Sequence, residues 1–289
     1  MSLSVVILTF NEEKNLPHCL SAIQSLACPL FIVDSGSTDA TLSIAEAAGA
    51  TLVHHEFTTH SEQWEWAFAN LDLRTTWVLA IDADQRVTPK LAQSITRLVS
   101  TEPAVNGAYL CRKQIFRGKW IRHGGYYPKY LLKLVRVSEV RTDRNDRVDH
   151  HFLVPEPTVK LQGDLEEVNL NEDDISLWTQ KHTRYARLQA EQEVFGTTGA
   201  RAGLRNPDER TALRKRVWLR LPLFARSFGY FFYRYFLRAG FLDGTEGLIF
   251  HFLQGCWYRF LVDVHVQQLR QNAANDATEN AVLIESKNH

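Results

Sequence analysis

Apolar and polar residues alternate in blocks along the first hundred positions of the chain. Leu3–Phe10 is an unbroken apolar run rich in β-branched residues, which predicts a strand covered on both faces in a parallel sheet. Asn11 is expected to cap a helix, with Glu12 and Glu13 in its first turn and Leu16, Leu20, Ile23 and Leu26 as its apolar stripe. Leu30–Val33 predicts a second strand ending on Asp34. Ser35–Asp39 follows as a turn that opens a helix reaching about Ala48. Ala50–His54, 61–71, Trp77–Ile81 and 89–100 continue the series as strand, helix, strand and helix. This rhythm predicts a doubly wound α/β sheet. Ligands in such sheets bind beyond the carboxyl ends of the strands, and the polar residues gather there: Thr9, Asn11 and Glu12 after the first strand, Asp34 after the second, Asp82 and Asp84 after the fourth.

Beyond residue 105 the pattern changes. Tyr109–Ile115 and Tyr130–Val137 read as strands around the aromatic, glycine-rich connection Trp120–Tyr127, of the kind that lines a site. Residues 175–195 read as a helix and 211–270 as further helices rich in Phe, Tyr, Trp and Arg. From Asn272 onward the chain is polar and is expected to fray.

Composition narrows the function classes. The 45% hydrophobic and 23% charged fractions are those of a globular protein and exclude global disorder. Net charge is zero, so no chain-wide basic field exists to hold nucleic acid. The average hides an asymmetry: residues 201–240 carry ten basic side chains against Asp208 and Glu209, while 164–174 is acidic. The four scattered cysteines form no CxxC pair and fit a reducing compartment. With no basic n-region and no run of about 20 apolar residues, the expected location is the cytoplasm.

Asp82-Ala83-Asp84 is the sharpest local feature. Two carboxylates one residue apart at a strand end can share a hard divalent cation whose other ligands are waters and phosphate oxygens. Asp34–Asp39 offers a strand-end carboxylate and hydroxyls at a helix start, though turn and capping chemistry explains the same residues. Asp149-His150-His151 supplies side chains able to act as a general base. His54, His55 and His60 are read as strand-end and loop residues without chemistry, and Trp64 and Trp66 as core or pocket wall. No GxGxxG, phosphate-binding Gly-Lys-Ser/Thr loop or GxSxG elbow is present, so dinucleotide, P-loop and hydrolase readings fall away.

Seven segments in order, Ile7–Glu13, Val33–Asp39, Glu62–Ala67, Trp77–Asp84, Trp120–Pro128, Lys181–Ala186 and Tyr235–Gly244, resemble the family 2 glycosyltransferases of the GT-A fold. The likeness spans about residues 2–265 and is nearest to the bacterial branch that builds lipopolysaccharide core and exopolysaccharide. It implies a doubly wound mixed sheet with a helical C-terminal extension. It also implies a nucleotide-sugar site of Thr9, Asn11, Glu12, Asp34 at the uracil, Asp39, Gln63 and Asp82, and Mg²⁺ or Mn²⁺ on Asp82 and Asp84. The implied reaction is an inverting displacement that moves a hexose such as glucose from a UDP-sugar to a saccharide or lipid-linked acceptor.

The chain departs from the family pattern twice. Gln85 stands where relatives often have an acid, and His150 stands where they usually carry a Glu, so the base is either Asp149 or His150. The expected organisation is a catalytic domain over 1–170, with nucleotide-sugar binding in 1–105 and acceptor and base in 106–170. A helical region over 171–270 and a polar tail over 271–289 follow. Arginines interleaved with aromatics in 214–265 suit peripheral contact with an anionic membrane on its cytoplasmic face, a packed helical hairpin being the plainer reading. A catalytically inactive membrane-associated scaffold of a polysaccharide-assembly complex is the competing class. A sugar nucleotidyltransferase would need a basic Gly-rich loop after the first strand, and a glycosidase would need opposed carboxylates.

Overall fold

A computed structural model describes residues 2–101, 103–142, 151–195 and 218–287, the last twelve of these as backbone. The first half alternates as expected: β1 (Leu3–Thr9), α1 (Leu16–Ile23), β2 (Leu30–Asp34), α2 (Thr41–Ala47), β3 (Thr51–His54), α3 (His60–Asn70), β4 (Trp77–Asp82), β5 (Gln85–Val87) and α4 (Pro89–Thr101). Then come β6 (Gly107–Phe116), β7 (Lys119–Trp120), β8 (Lys129–Arg136), β9 (Arg141–Thr142), β10 (Phe152–Leu153) and β11 (Thr158–Val168). The C-terminal part is helical: α5 (Ile175–Phe195), α6 (Ala225–Phe232), α7 (Gly244–Phe252) and α8 (Tyr258–Lys287).

The strands form one mixed sheet in the order β3-β2-β1-β4-β8-β6-β11-β5, with β7 paired to β6. β1, β2, β3 and β4 run parallel, and β8 enters antiparallel to both β4 and β6. Only Ala83 and Asp84 separate β4 from β5, yet β5 sits at the far end of the strand path on β11. The sheet must therefore curl, and the Asp82–Asp84 turn lies where it folds back. Apolar residues cover both faces. Leu16, Cys19 and Ile23 of α1 and Leu91, Ile95 and Val99 of α4 pack on one side, and Trp64 and Ala67 of α3 on the other. Leu91 and Ile95 are fully buried at helical spacing and contribute about 2 kcal/mol each.

Two expectations are corrected and one strand is added. Asn11 does not cap α1: it holds a left-handed conformation (φ 54°), which Asn tolerates, and the helix starts after Asn15, with Pro17 in its first turn. The acidic stretch from Asp164 belongs largely to β11, a strand hidden by its polar sequence. Its Glu166 and Glu167 face Lys113 and Arg112 on β6, at 2.7 and 3.4 Å, so cross-strand charge pairs replace apolar alternation. The polar C-terminus remains helical through Lys287, its Ala, Gln, Glu and Leu being strong helix formers. Trp64 is wholly buried, as a core residue should be.

Candidate active site

The parallel register sets Thr9 beside Asp34 and Leu8 beside Asp82, which brings the carboxyl ends of β1, β2 and β4 level at one rim. Asp34 is almost completely buried there. Its two carboxylate oxygens accept four hydrogen bonds of 2.5–2.8 Å, from the Thr9 and Ser37 hydroxyls and the Gly36 and Ser37 N–H groups. All four lone-pair positions are thus filled. As it stands Asp34 fixes the turn after β2, and contact with a base requires one of these donors to yield.

Asn11 and Asp39 join this turn to the loop after β1. The Asn11 amide oxygen accepts from the Thr38 N–H, while the Asn11 N–H donates to the Ser37 hydroxyl. Asp39 accepts from the Glu13 N–H and from Thr41. Partial burial works against its charge, but the Thr41 hydroxyl and these N–H groups outweigh it and hold the carboxyl below its usual range. Gln63 is fully buried on α3. Its amide donates to the Ser35 hydroxyl and the His55 carbonyl, and its oxygen meets His55 Nδ1 at 2.7 Å. It therefore braces the same turn from beneath.

Glu12, Asp82 and Asp84 form the acidic side of the rim, joined by Glu167 from β11 and Glu172 from the turn before α5. Asp82 meets the buried Lys133 ammonium at 2.8 Å, and Asp84 accepts from the Asn169 amide at 3.1 Å. Burial, reinforced by Glu167, Asp82 and Glu12, pushes the Asp84 carboxyl well above its ordinary value. Burial likewise raises Glu12 to about 7, against an opposing bond from Asn15. Across the rim, burial works against the charge of Lys181, yet Glu172, Tyr185 and Asp84 hold its ammonium above the usual lysine range. Carboxylates that raise one another in this way mark a place where added positive charge is favourable.

The donor set suits a hard cation, being all oxygen. Among the described residues no group of three or more His, Cys, Asp or Glu side chains is arranged to hold a metal ion. A cation carrying phosphate oxygens needs only one or two protein carboxylates, which Asp82 and Asp84 can supply.

Several participants escaped the sequence reading. Asn169 and Asn171 bind the loop after β1, at the Asn15 amide and the Asn11 carbonyl. Gln85 is buried rather than merely a missing acid: its oxygen accepts from the Asp82 N–H and its amide donates to Glu167. Lys133 carried a usable signal, as the one charge inside the apolar run Leu131–Val135. Asp149 and His150 lie outside the described residues.

The connection Trp120–Pro128 is clamped to the C-terminal helices. Buried Asp243 accepts from the His123 N–H at 2.9 Å and meets His123 Nδ1 at 2.6 Å, and the Gly124 N–H donates to the Arg238 carbonyl. Gly124 has φ +67°, and a Cβ there would lie 2.0 Å from the ring of His251. Gly124→Ala is accordingly expected to lower the unfolding free energy by about 3 kcal/mol or more, measured by urea titration. Burial, followed by the nearby Arg234, depresses His251 to about 4 despite Asp243. The unfolded chain then binds the extra proton at this position between about pH 6.5 and 4, so the His251 contribution to stability falls as pH drops through that window, opposite in sign to that of the raised Glu12 carboxyl. The contribution is roughly 3 kcal/mol. Unfolding midpoints of parent and His251→Asn, each at pH 7 and pH 4.5, isolate this contribution: the variant should be the more stable at pH 4.5 relative to its own pH 7 value.

The sequence model described as "Glycosyl transferase family 2" matches residues 4–210. The lipopolysaccharide core biosynthesis glycosyltransferase LpsC of Rhizobium meliloti is 26% identical over 204 residues, 67% of this chain and 72% of that protein. An uncharacterized glycosyltransferase of Rickettsia bellii is 30% identical over 100 residues, about a third of either chain. Among solved structures, Staphylococcus aureus TarS 1–349 in complex with UDP is 14% identical with a TM-score of 0.45, covering 94% of this chain and 92% of its own. Mycobacterium tuberculosis glucosyl-3-phosphoglycerate synthase, bound to Mn²⁺, UDP and glucosyl-3-phosphoglycerate, is 25% identical with a TM-score of 0.32, covering 40% and 44%.

Proposed function

The chain belongs to glycosyl transferase family 2, and from that premise we propose that it is an inverting hexosyltransferase acting on a UDP-sugar and a saccharide or lipid-linked acceptor of bacterial cell-surface polysaccharide. The observation that carries this reading is the crowding of Glu12, Asp82, Asp84 and Glu167 at the strand-end rim, where mutual repulsion favours an incoming cation, through which an anionic diphosphate can then be held. The similarity to LpsC, a lipopolysaccharide core biosynthesis glycosyltransferase, supports the acceptor class.

In this reading Thr9, Asn11, Asp34, Asp39 and Gln63 shape the pocket for the nucleoside, because their bonds hold both loops in fixed register. Asp82 and Asp84 would hold Mg²⁺ or Mn²⁺, which when bound would stabilise charge on the departing diphosphate. Glu12 lines the same edge, and Lys181, steadied by Glu172, is placed to meet a donor phosphate. Asp149 or His150 removes the acceptor hydroxyl proton as that oxygen attacks the anomeric carbon.

A panel of UDP- and GDP-sugars with Mn²⁺ tests the proposal. One UDP-hexose should stabilise the protein thermally and undergo slow hydrolysis without acceptor, whereas an inactive scaffold would show neither. Asp149→Asn or His150→Ala should reduce turnover on the order of a hundredfold or more while donor binding persists. Full activity in both variants removes this segment from the chemistry.

A further inference from the structure

Twelve of the seventeen exposed large hydrophobic side chains among the described residues fall within 219–260, while the α/β part shows only scattered ones. Their placement is not random. Phe232 closes α6, and Phe236 and Leu237 lie in the π-helical turn Tyr233–Leu237 that continues it. Phe241 and Leu242 lie in the short turn before α7, and Phe252 ends α7. These six are 46–68% exposed. Ring contacts join the four phenylalanines into one surface, to which Leu237 and Leu242 are sequence neighbours: Phe232 meets Phe236 at 5.0 Å, Phe231 bridges Phe236 and Phe252 at 6.5 and 5.9 Å, and Tyr235 bridges Phe236 and Phe241 at 5.1 and 6.3 Å. A continuous apolar face of this kind marks an interaction site rather than ordinary surface.

Charge selects the occupant. Residues 219–260 contain five arginines and two acids, Asp243 and Glu246. Asp243 is buried against His123 and Arg226 against Asp263 and Glu193, so both charges are turned inward, while Arg220 and Arg238 are exposed. Two copies of a surface carrying the exposed Arg220 and Arg238 repel each other, whereas anionic headgroups are attracted to it. Among the described residues no helix is long and apolar enough to cross a membrane, which leaves a face that lies in the interface plane. The face also adjoins the clamped connection: the Arg234 guanidinium stacks on Tyr126 at 3.8 Å, and Arg238 lies against Gly125.

We propose that the aromatic face formed by Phe232, Phe236, Leu237, Phe241, Leu242 and Phe252, with its surrounding arginines, docks the protein on an anionic lipid bilayer, inserting rings to headgroup depth beside the Trp120–Pro128 connection. The inference concerns attachment and does not depend on the proposed reaction.

Flotation of the full chain with phosphatidylcholine vesicles, with and without roughly a third phosphatidylglycerol, tests it without donor or turnover. Binding should be at least about tenfold greater to the anionic vesicles and should weaken in about 1 M salt. The triple variant Phe232→Ser, Phe236→Ser, Leu237→Ser should lose that binding at least about tenfold while unfolding as cooperatively as the parent. Phe241→Trp should show a blue-shifted emission when anionic vesicles are added. Absence of flotation, or flotation untouched by the triple variant, overturns the proposal. So does a concentration-dependent dimer that the triple variant abolishes in a protein that ignores vesicles.

Discussion

Replacing Asp84 by asparagine is expected to make the free protein more stable and the enzyme on the order of a thousandfold slower. Both effects come from one cause. The folded state holds the Asp84 carboxyl well above its normal range, through burial and the nearby charges of Glu167, Asp82 and Glu12. The ionised group therefore costs stability at neutral pH, and a neutral isostere that still accepts from Asn169 removes that cost. The same substitution removes one of the two carboxylates proposed to face the cation. Thermal unfolding without metal should move upward, while the shift induced by Mn²⁺ and UDP together should vanish. An Asp84 of purely structural value would do the reverse, losing stability first and activity only in proportion. Asp82→Asn should match it in activity but not in stability, because the buried Lys133 ammonium would lose the negative charge now 2.8 Å away.

The second large effect is expected far from the rim. Asp263 on α8 is fully buried, and its carboxylate accepts from Arg226 Nε at 2.6 Å, from the Phe224 N–H at 2.7 Å and from the Ser227 hydroxyl at 3.2 Å. Arg226 also reaches Glu193 of α5 at 2.8 Å, so one ionic knot ties α5, α6 and α8 together. Asp263→Ala leaves a buried guanidinium short of a partner and should cost about 3–5 kcal/mol. Asp263→Asn should cost less, since its amide oxygen still accepts from Phe224. Urea denaturation gives the magnitude, and limited proteolysis of α6 and α7 shows where the loss falls. If Asp263→Ala unfolds at the parental midpoint, the knot is not what holds these helices.

The two sites differ in how far the sequence reveals them. Strand-end acids were legible because a buried parallel strand has a continuous apolar pattern that stops abruptly, so Asp34 and Asp82 announce their own positions. The glycine pair 124–125 and the Ala239–Gly244 segment could be quoted as motifs but not joined. They are 120 residues apart, and what joins them is Asp243 on His123 and the ring of His251 against Gly124. Asn15, Asn169 and Asn171 gave no signal at all, since a single amide has the same composition in a solvated loop as in a bonded network. β11 was invisible for a related reason, its outward charges being satisfied by a strand some fifty positions away.

Local patterning determined the alternating elements, the rim at which polar side chains collect, and the family to which the chain belongs. Those features depend on periodicity and on short ordered segments, which the chain carries in itself. Tertiary structure alone decided that β5 closes the curl beside the Asp82–Asp84 turn, that Lys133 meets Asp82, and that the C-terminal rings share one face. Each of these rests on contacts between distant positions, and the free energy of such a contact depends on the burial and partners supplied by the rest of the fold.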